Sequence, residues 1–197
     1  MRKRHLFSFF LLVFLLSACG DKLPIESDMN ETVDNFTFTT EQNEAISLAD
    51  LEGQWWIANF IFTNCETVCL PMTSNMSHLQ SELQNEELPV QLVSFSVDPD
   101  YDTPEVLQEY GKEYEADFTN WSFLTGYSFQ EIKEISIKSF RAPLKEPDYG
   151  STQVLHDTRF FLVNPEGKVI KGYDGVQAKE MQVIIDDLQT LRQNDLL

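Results

Sequence analysis

Phe60-Ile61-Phe62-Thr63-Asn64-Cys65-Glu66-Thr67-Val68-Cys69-Leu70-Pro71-Met72 decides how this chain is built. The apolar run from Trp55 to Phe62 reads as a buried strand. Pro71 has no N–H and a locked φ, so it is tolerated in a first helical turn and disruptive later; a helix therefore starts close to Leu70. This passage from strand to helix puts Cys65 in the turn and Cys69 at the helix N-terminus. Unpaired N–H groups and the positive end of the macrodipole favour a thiolate there. The pair is thereby nucleophilic, oxidisable and able to bind a soft metal.

The chain has 197 residues and one further cysteine, Cys19. Arg2-Lys3-Arg4 precedes an apolar block from Leu6 to Leu16, and Leu16-Ser17-Ala18-Cys19 closes it, the layout of a secretory signal over residues 1–18. The block is too short for a membrane span. Its ending resembles a bacterial lipobox, which implies lipidation of Cys19 and a domain on the extracytoplasmic face of the cell membrane. Losing Arg2, Lys3 and Arg4 takes the formal charge from −18 to −21. Such a surface repels nucleic acid and anionic lipid, so attachment to a membrane falls to the lipid rather than to a basic face.

Residues 19–32, polar and acidic with Pro24, read as a flexible tether. One domain, 33–195, follows. Phe36-Thr37-Phe38-Thr39 alternates as an edge strand, with Asn43 at a turn and Ala45 to Leu48 returning. After Pro71, Met72, Met76, Leu79 and Leu83 mark one apolar helical face. Val90 to Val97 is a second strong strand. Thr103-Pro104-Glu105 caps the next helix, and Ser128 with Glu131 makes a capping box for another beyond the short strand at Trp121. Arg141 to Leu155 is the least regular part, a loop long enough to suggest function. Thr158 to Val163 and Lys168 to Tyr173 form a hairpin about Asn164-Pro165-Glu166-Gly167. A last helix from about Ala178 buries Met181, Ile184, Ile185, Leu188 and Leu191.

A βαβ half with cysteines between strand and helix, completed by a ββα half, resembles a thioredoxin fold, an α/β architecture in which helices flank a central mixed sheet, here with an N-terminal β-hairpin extension. Within that fold the chain is similar to the Sco (SenC/PrrC) family of copper-binding proteins that assist assembly of cytochrome c oxidase. Phe62 to Cys69 matches the family's C-x-x-x-C, and Ser96-Val97-Asp98-Pro99 with Asp102-Thr103-Pro104-Glu105 matches its central signature. His156 stands where the family's histidine ligand precedes the hairpin strand. Leu70 departs from the pattern, since the family usually has proline directly after the second cysteine. The resemblance implies a copper site of Cys65, Cys69 and His156, a metallochaperone rather than an enzyme, and a partner in the copper-site subunit of the oxidase.

Two thiolates and an imidazole suit copper in either oxidation state, whereas a structural zinc site normally takes four protein ligands. Met72 and Met76 at helical spacing read as core, and Glu66 and Asp157 as carboxylates beside the site. His78 lies off the apolar stripe of its helix and reads as surface; His5 lies in the signal. The chief rival is an extracytoplasmic thiol–disulfide oxidoreductase with Cys65 and Cys69 as a redox-active pair, because helical residues four apart have Cα atoms within disulfide range, about 6 Å. A peroxidase would need Arg141 or Arg159 beside one activated cysteine and leaves the second unexplained. A purely structural disulfide closing so small a loop gains little chain entropy.

Overall fold

A computed structural model describes residues 23–65, 69–147 and 149–197, the side chain of Cys69 excepted. Residues 1–22, with the expected signal, Cys19 and the first part of the expected tether, lie outside it, as does Glu66. The elements in order are β1 (Thr37–Thr40), β2 (Ala45–Ser47), a 3-10 turn (Leu48–Leu51), β3 (Trp55–Ile61), α1 (Cys69–Asn85), β4 (Val90–Ser96), α2 (Pro104–Glu113), β5 (Trp121–Thr125), α3 (Phe129–Phe140), β6 (Leu144–Lys145), β7 (Leu155–His156), β8 (Arg159–Val163), β9 (Val169–Asp174) and α4 (Lys179–Gln193). Seven strands form one mixed sheet in the order β2-β1-β5-β4-β3-β8-β9. β3 pairs parallel with β4 and antiparallel with β8, and on the far side β1 lies between β5 and the edge strand β2, antiparallel to both. This is the thioredoxin-like arrangement with its added N-terminal hairpin.

β3 is the axis because all seven of its residues are buried. Successive side chains of a strand point to opposite faces, so one strand serves two cores. Trp56, Ala58 and Phe60, with Phe62 just beyond the strand, belong to one core together with Phe95, Phe140 and Phe161; Trp55, Ile57 and Ile61 belong to the other, with Met72, Met76, Leu79 and Leu83 of α1. Phe60 lies 5.6 Å from Phe95 and 5.4 Å from Phe140 between ring centroids. Such aromatic pairs add about 0.5–1.5 kcal/mol each beyond their area. The apolar residues of α2 and α4 join the second core and those of α3 the first, so helices cover both faces.

The caps stand where the sequence puts them. Thr103 accepts from the Val106 N–H ahead of Pro104, and Ser128 and Glu131 complete the capping box. Asn43 takes positive φ in the β1–β2 turn.

Two expectations need correction. Residues 25–32 do not behave as tether: Asp28 and Met29 N–H donate to the Ile170 carbonyl, Val169 N–H donates to that of Glu31, and Ile25, Met29 and Val33 are buried. Three apolar residues four apart seal the edge of β9, and their burial outweighs the polar composition around them. The irregular stretch from Arg141 to Leu155 contains a small antiparallel ribbon, in which Leu144 pairs with His156 and Lys145 with Leu155. Leu144 of this ribbon is buried, as are Ala142 and Val154 on either side of it.

Candidate metal site

α1 begins at Cys69, so its backbone stands at a helix N-terminus as the proline position predicts. Met72 and Met76 are wholly buried in the core on the α1 side, while Cys65 belongs to the core on the opposite face of the sheet. The methionines are core. Cys65, 9% exposed, shares its buried cluster with Phe62, Leu144 and Val154, so the cysteine turn and the segment leading to His156 pack into one body. Leu70, the departure noted above, is 53% exposed beside Cys69.

His156 reaches this place through β7. Its ring meets Phe62 edge-on, with centroids 5.7 Å apart and planes at 85°. Gln153 Nε2 donates to the Asn64 carbonyl at 2.9 Å, tying the histidine segment to the residue before Cys65. His156 Nδ1 lies 2.8 Å from the Asp157 carbonyl. A carbonyl only accepts, so Nδ1 carries the proton and the lone pair of the neutral ring is on Nε2, as in histidines prepared for a metal.

The neighbouring charges are already committed. Asp157 accepts from Arg159 through the backbone N–H and the guanidinium Nε and terminal nitrogen, at 2.8, 3.0 and 2.8 Å. This contact holds the guanidinium above its ordinary value. Arg159 also donates to the Arg141 carbonyl, so one side chain pins both ends of the histidine-bearing loop. Arg141 is paired with Glu31. The arginines that a peroxidase would need are thus structural, and Asp157 serves Arg159 rather than a metal. His78 is exposed, as read from its helix.

Among the described residues no three His, Cys, Asp or Glu side chains converge to hold a metal. Of the expected three, Cys65 and His156 fall within that description and are brought to one end of β3; the side chain of Cys69 and all of Glu66 fall outside it. A polar group that the sequence did not single out for a role lies beneath them. Asp102, fully buried, accepts from the backbone N–H and the hydroxyl of Thr63 and from the Ser96 hydroxyl. Burial pushes its carboxyl up, against the lowering effect of these bonds. Tyr127 O–H donates to the Ser96 and Leu124 carbonyls at 2.9 and 2.6 Å and is itself raised well above its ordinary value by burial. The signal for Asp102 was the Asp-Thr-Pro at the start of α2, read there only as part of a motif and a cap.

A thioredoxin-like domain carrying a cysteine turn and a facing histidine at the carboxyl end of its central strand is the class these features define. The SCO1/SenC family model matches residues 25–193, and the chain belongs to that family. It is 46% identical over 180 residues to the SCO1 protein homolog of Bacillus subtilis (strain 168), covering 91% of this chain and 92% of that one. Among solved structures it is similar to BsSco, described as a member of the Sco family of cytochrome c oxidase assembly proteins with a disulfide switch, at 43% identity and a TM-score of 0.76 over 84% of this chain and 97% of that one. It is similar also to Arabidopsis thaliana ScoI, solved with copper bound, at 25% identity and a TM-score of 0.68 over 82% and 99%.

Proposed function

We propose that this chain is a membrane-anchored, extracytoplasmic copper-binding assembly factor for cytochrome c oxidase, acting on the copper-site subunit, with Cys65, Cys69 and His156 as the metal ligands. The observation that carries the reading is the seating of the histidine segment on the cysteine turn, through Gln153 on the Asn64 carbonyl and His156 on Phe62. Two thiolates and an imidazole form a soft donor set that suits copper in both oxidation states. The copper-bound relative and the oxidase-assembly relative agree with it. The anchor rests on Leu16-Ser17-Ala18-Cys19.

Copper titration of the reduced domain tests the ligand set. Cys65→Ser and Cys69→Ser should each remove the sulfur-to-copper charge-transfer band, and His156→Ala should harm Cu(II) more than Cu(I), which persists on two thiolates. A His156→Ala strain with full oxidase activity under limiting copper would sink the proposal. Mass spectrometry of the membrane fraction should find a lipidated Cys19; an unmodified N-terminus elsewhere would remove the anchor.

One observation favours a second reading, the disulfide switch described for the relative BsSco. As a reductant, the Cys65–Cys69 dithiol would attack a target disulfide, pass through a mixed disulfide, release two target thiols and end as its own disulfide. Under that reading either cysteine variant abolishes turnover, while His156→Ala only slows it.

A further inference from the structure

We infer that Asp102 is a positioning residue for the cysteine pair, holding the turn that delivers Cys65 at a fixed place over the end of β3. Asp102 sits in the connection between β4 and α2, wholly buried, and all three groups that donate to it come from two points: Thr63, two residues before Cys65, and Ser96, the last residue of β4. The ion pairs among the described residues do not include Asp102. A buried carboxylate without a cation is costly to keep, and an apolar side chain of similar volume commonly serves stability as well or better. Strand pairing does not need it either. β3 and β4 are in register to Ile61 and Ser96, and Val97 N–H donates to the Ile61 carbonyl at 2.8 Å. The carboxylate acts on the first residues beyond that pairing. It takes both the N–H and the hydroxyl of Thr63, so it fixes the direction in which the chain leaves the sheet. On the opposite side the Asn64 carbonyl is held by Gln153. The turn entering Cys65 is gripped at two successive residues, by a buried acid below and an amide above.

The role rests on the reading of Cys65 and Cys69 as the working pair, so its test uses their disulfide and no copper. The metal-free domain is equilibrated with reduced and oxidised glutathione, the dithiol and disulfide forms are counted, and folding of each variant is checked by circular dichroism. Releasing the turn lowers the effective concentration of one thiol beside the other. Asp102→Ala and Thr63→Val should each shift the equilibrium toward the dithiol, by about tenfold for the alanine variant, at the low end of what outer partners of a ligand set contribute. Asp102→Asn keeps an oxygen for Thr63 and an amide for Ser96 and should stay within about threefold of wild type, because geometry rather than charge does the holding. Loss of general stability alone would leave the ratio unchanged. A folded Asp102→Ala with the wild-type ratio overturns the inference, as does Asp102→Asn shifting as far as the alanine variant. Should the alanine variant not fold, Thr63→Val decides: the wild-type ratio overturns the role and a shift toward the dithiol supports it. A wild-type domain that forms no Cys65–Cys69 disulfide overturns the paired-thiol reading itself, before any variant is compared.

Discussion

The segment entering Cys65 and the segment entering His156 meet at the same place from different footings. The first is the continuation of a strand buried along its whole length, tied down by a buried carboxylate. The second hangs on a ribbon of two residues per strand, between Tyr149 in open solvent and Leu155, which is 60% exposed. Its anchors are the guanidinium of Arg159 and a few apolar residues, Ala142, Leu144 and Val154. One wall of the site is built into the core and the other is laid against it. The interior sets where the Cys65 sulfur is, and the lighter wall rests on fewer buried groups.

The largest effect should come from breaking the built-in wall. Phe60→Ala opens a cavity among Phe95, Phe140 and Phe161 and should cost about 3–5 kcal/mol in denaturant unfolding. A loss under 1 kcal/mol would mean that the wall is not held by its aromatic core.

Copper should act on the lighter wall. Saturation at 100 times the dissociation constant stabilises a protein by about 2.7 kcal/mol. In hydrogen exchange the gain should appear as slowed amides within 141–155, with those of β3 little changed. Equal exchange there with and without copper would remove the distinction between the walls.

Much of this was legible in the sequence because it is local. Each of the main strands announced itself by an apolar run, each capped helix by its first four residues, and the cysteine turn by Pro71. What was not legible depends on residues far apart. Asp102 finds Thr63 across 39 positions, and nothing local marks that aspartate as buried rather than solvated. Ile25, Met29 and Val33 are three apolar residues among polar ones, and only the edge of β9, more than 130 residues on, gives them a surface. The ribbon at Leu144 and Leu155 is too short to carry any periodicity. Of the site itself, the three expected ligand positions were readable as residue types at their places, but the grip on the turn that carries the first of them was not.

A smaller effect sharpens the comparison from outside both walls. Glu41, 3% exposed, accepts the Phe123 N–H at 2.8 Å near the pairing of β1 with β5, and burial raises its carboxyl above the ordinary 4.5. The fold therefore disfavours the ionised form. That penalty is absent below the ordinary value and complete above the raised one, so Glu41→Gln should gain stability relative to wild type as pH rises through this window. Unfolding curves at several pH values check it; a difference independent of pH would show that the charge costs nothing there. The smallest effect belongs to Gln153→Ala, at a half-buried residue outside the core, within about 0.5 kcal/mol of wild type globally. It should nonetheless speed amide exchange around Leu155 and His156, and unchanged exchange would mean that the amide is not a latch.

The docking of residues 25–33 on β9 has a consequence for how the domain is carried. Leu23, Pro24 and Ile25 line a cleft with Asn164 and Lys168, at the end of the sheet where β8 turns into β9. Val163 there pairs with Trp56, near the start of β3, whereas the cysteine turn follows its finish, a strand of seven residues or roughly 23 Å away. With Cys19 as the proposed attachment point, the six residues from it to Ile25 reach at most about 20 Å. The domain would then ride on a short leash fastened to one pole, with its thiols at the other. On that proposed attachment it would meet an oxidase partner above the headgroups by about its own height, and a target buried at the lipid surface would lie out of reach.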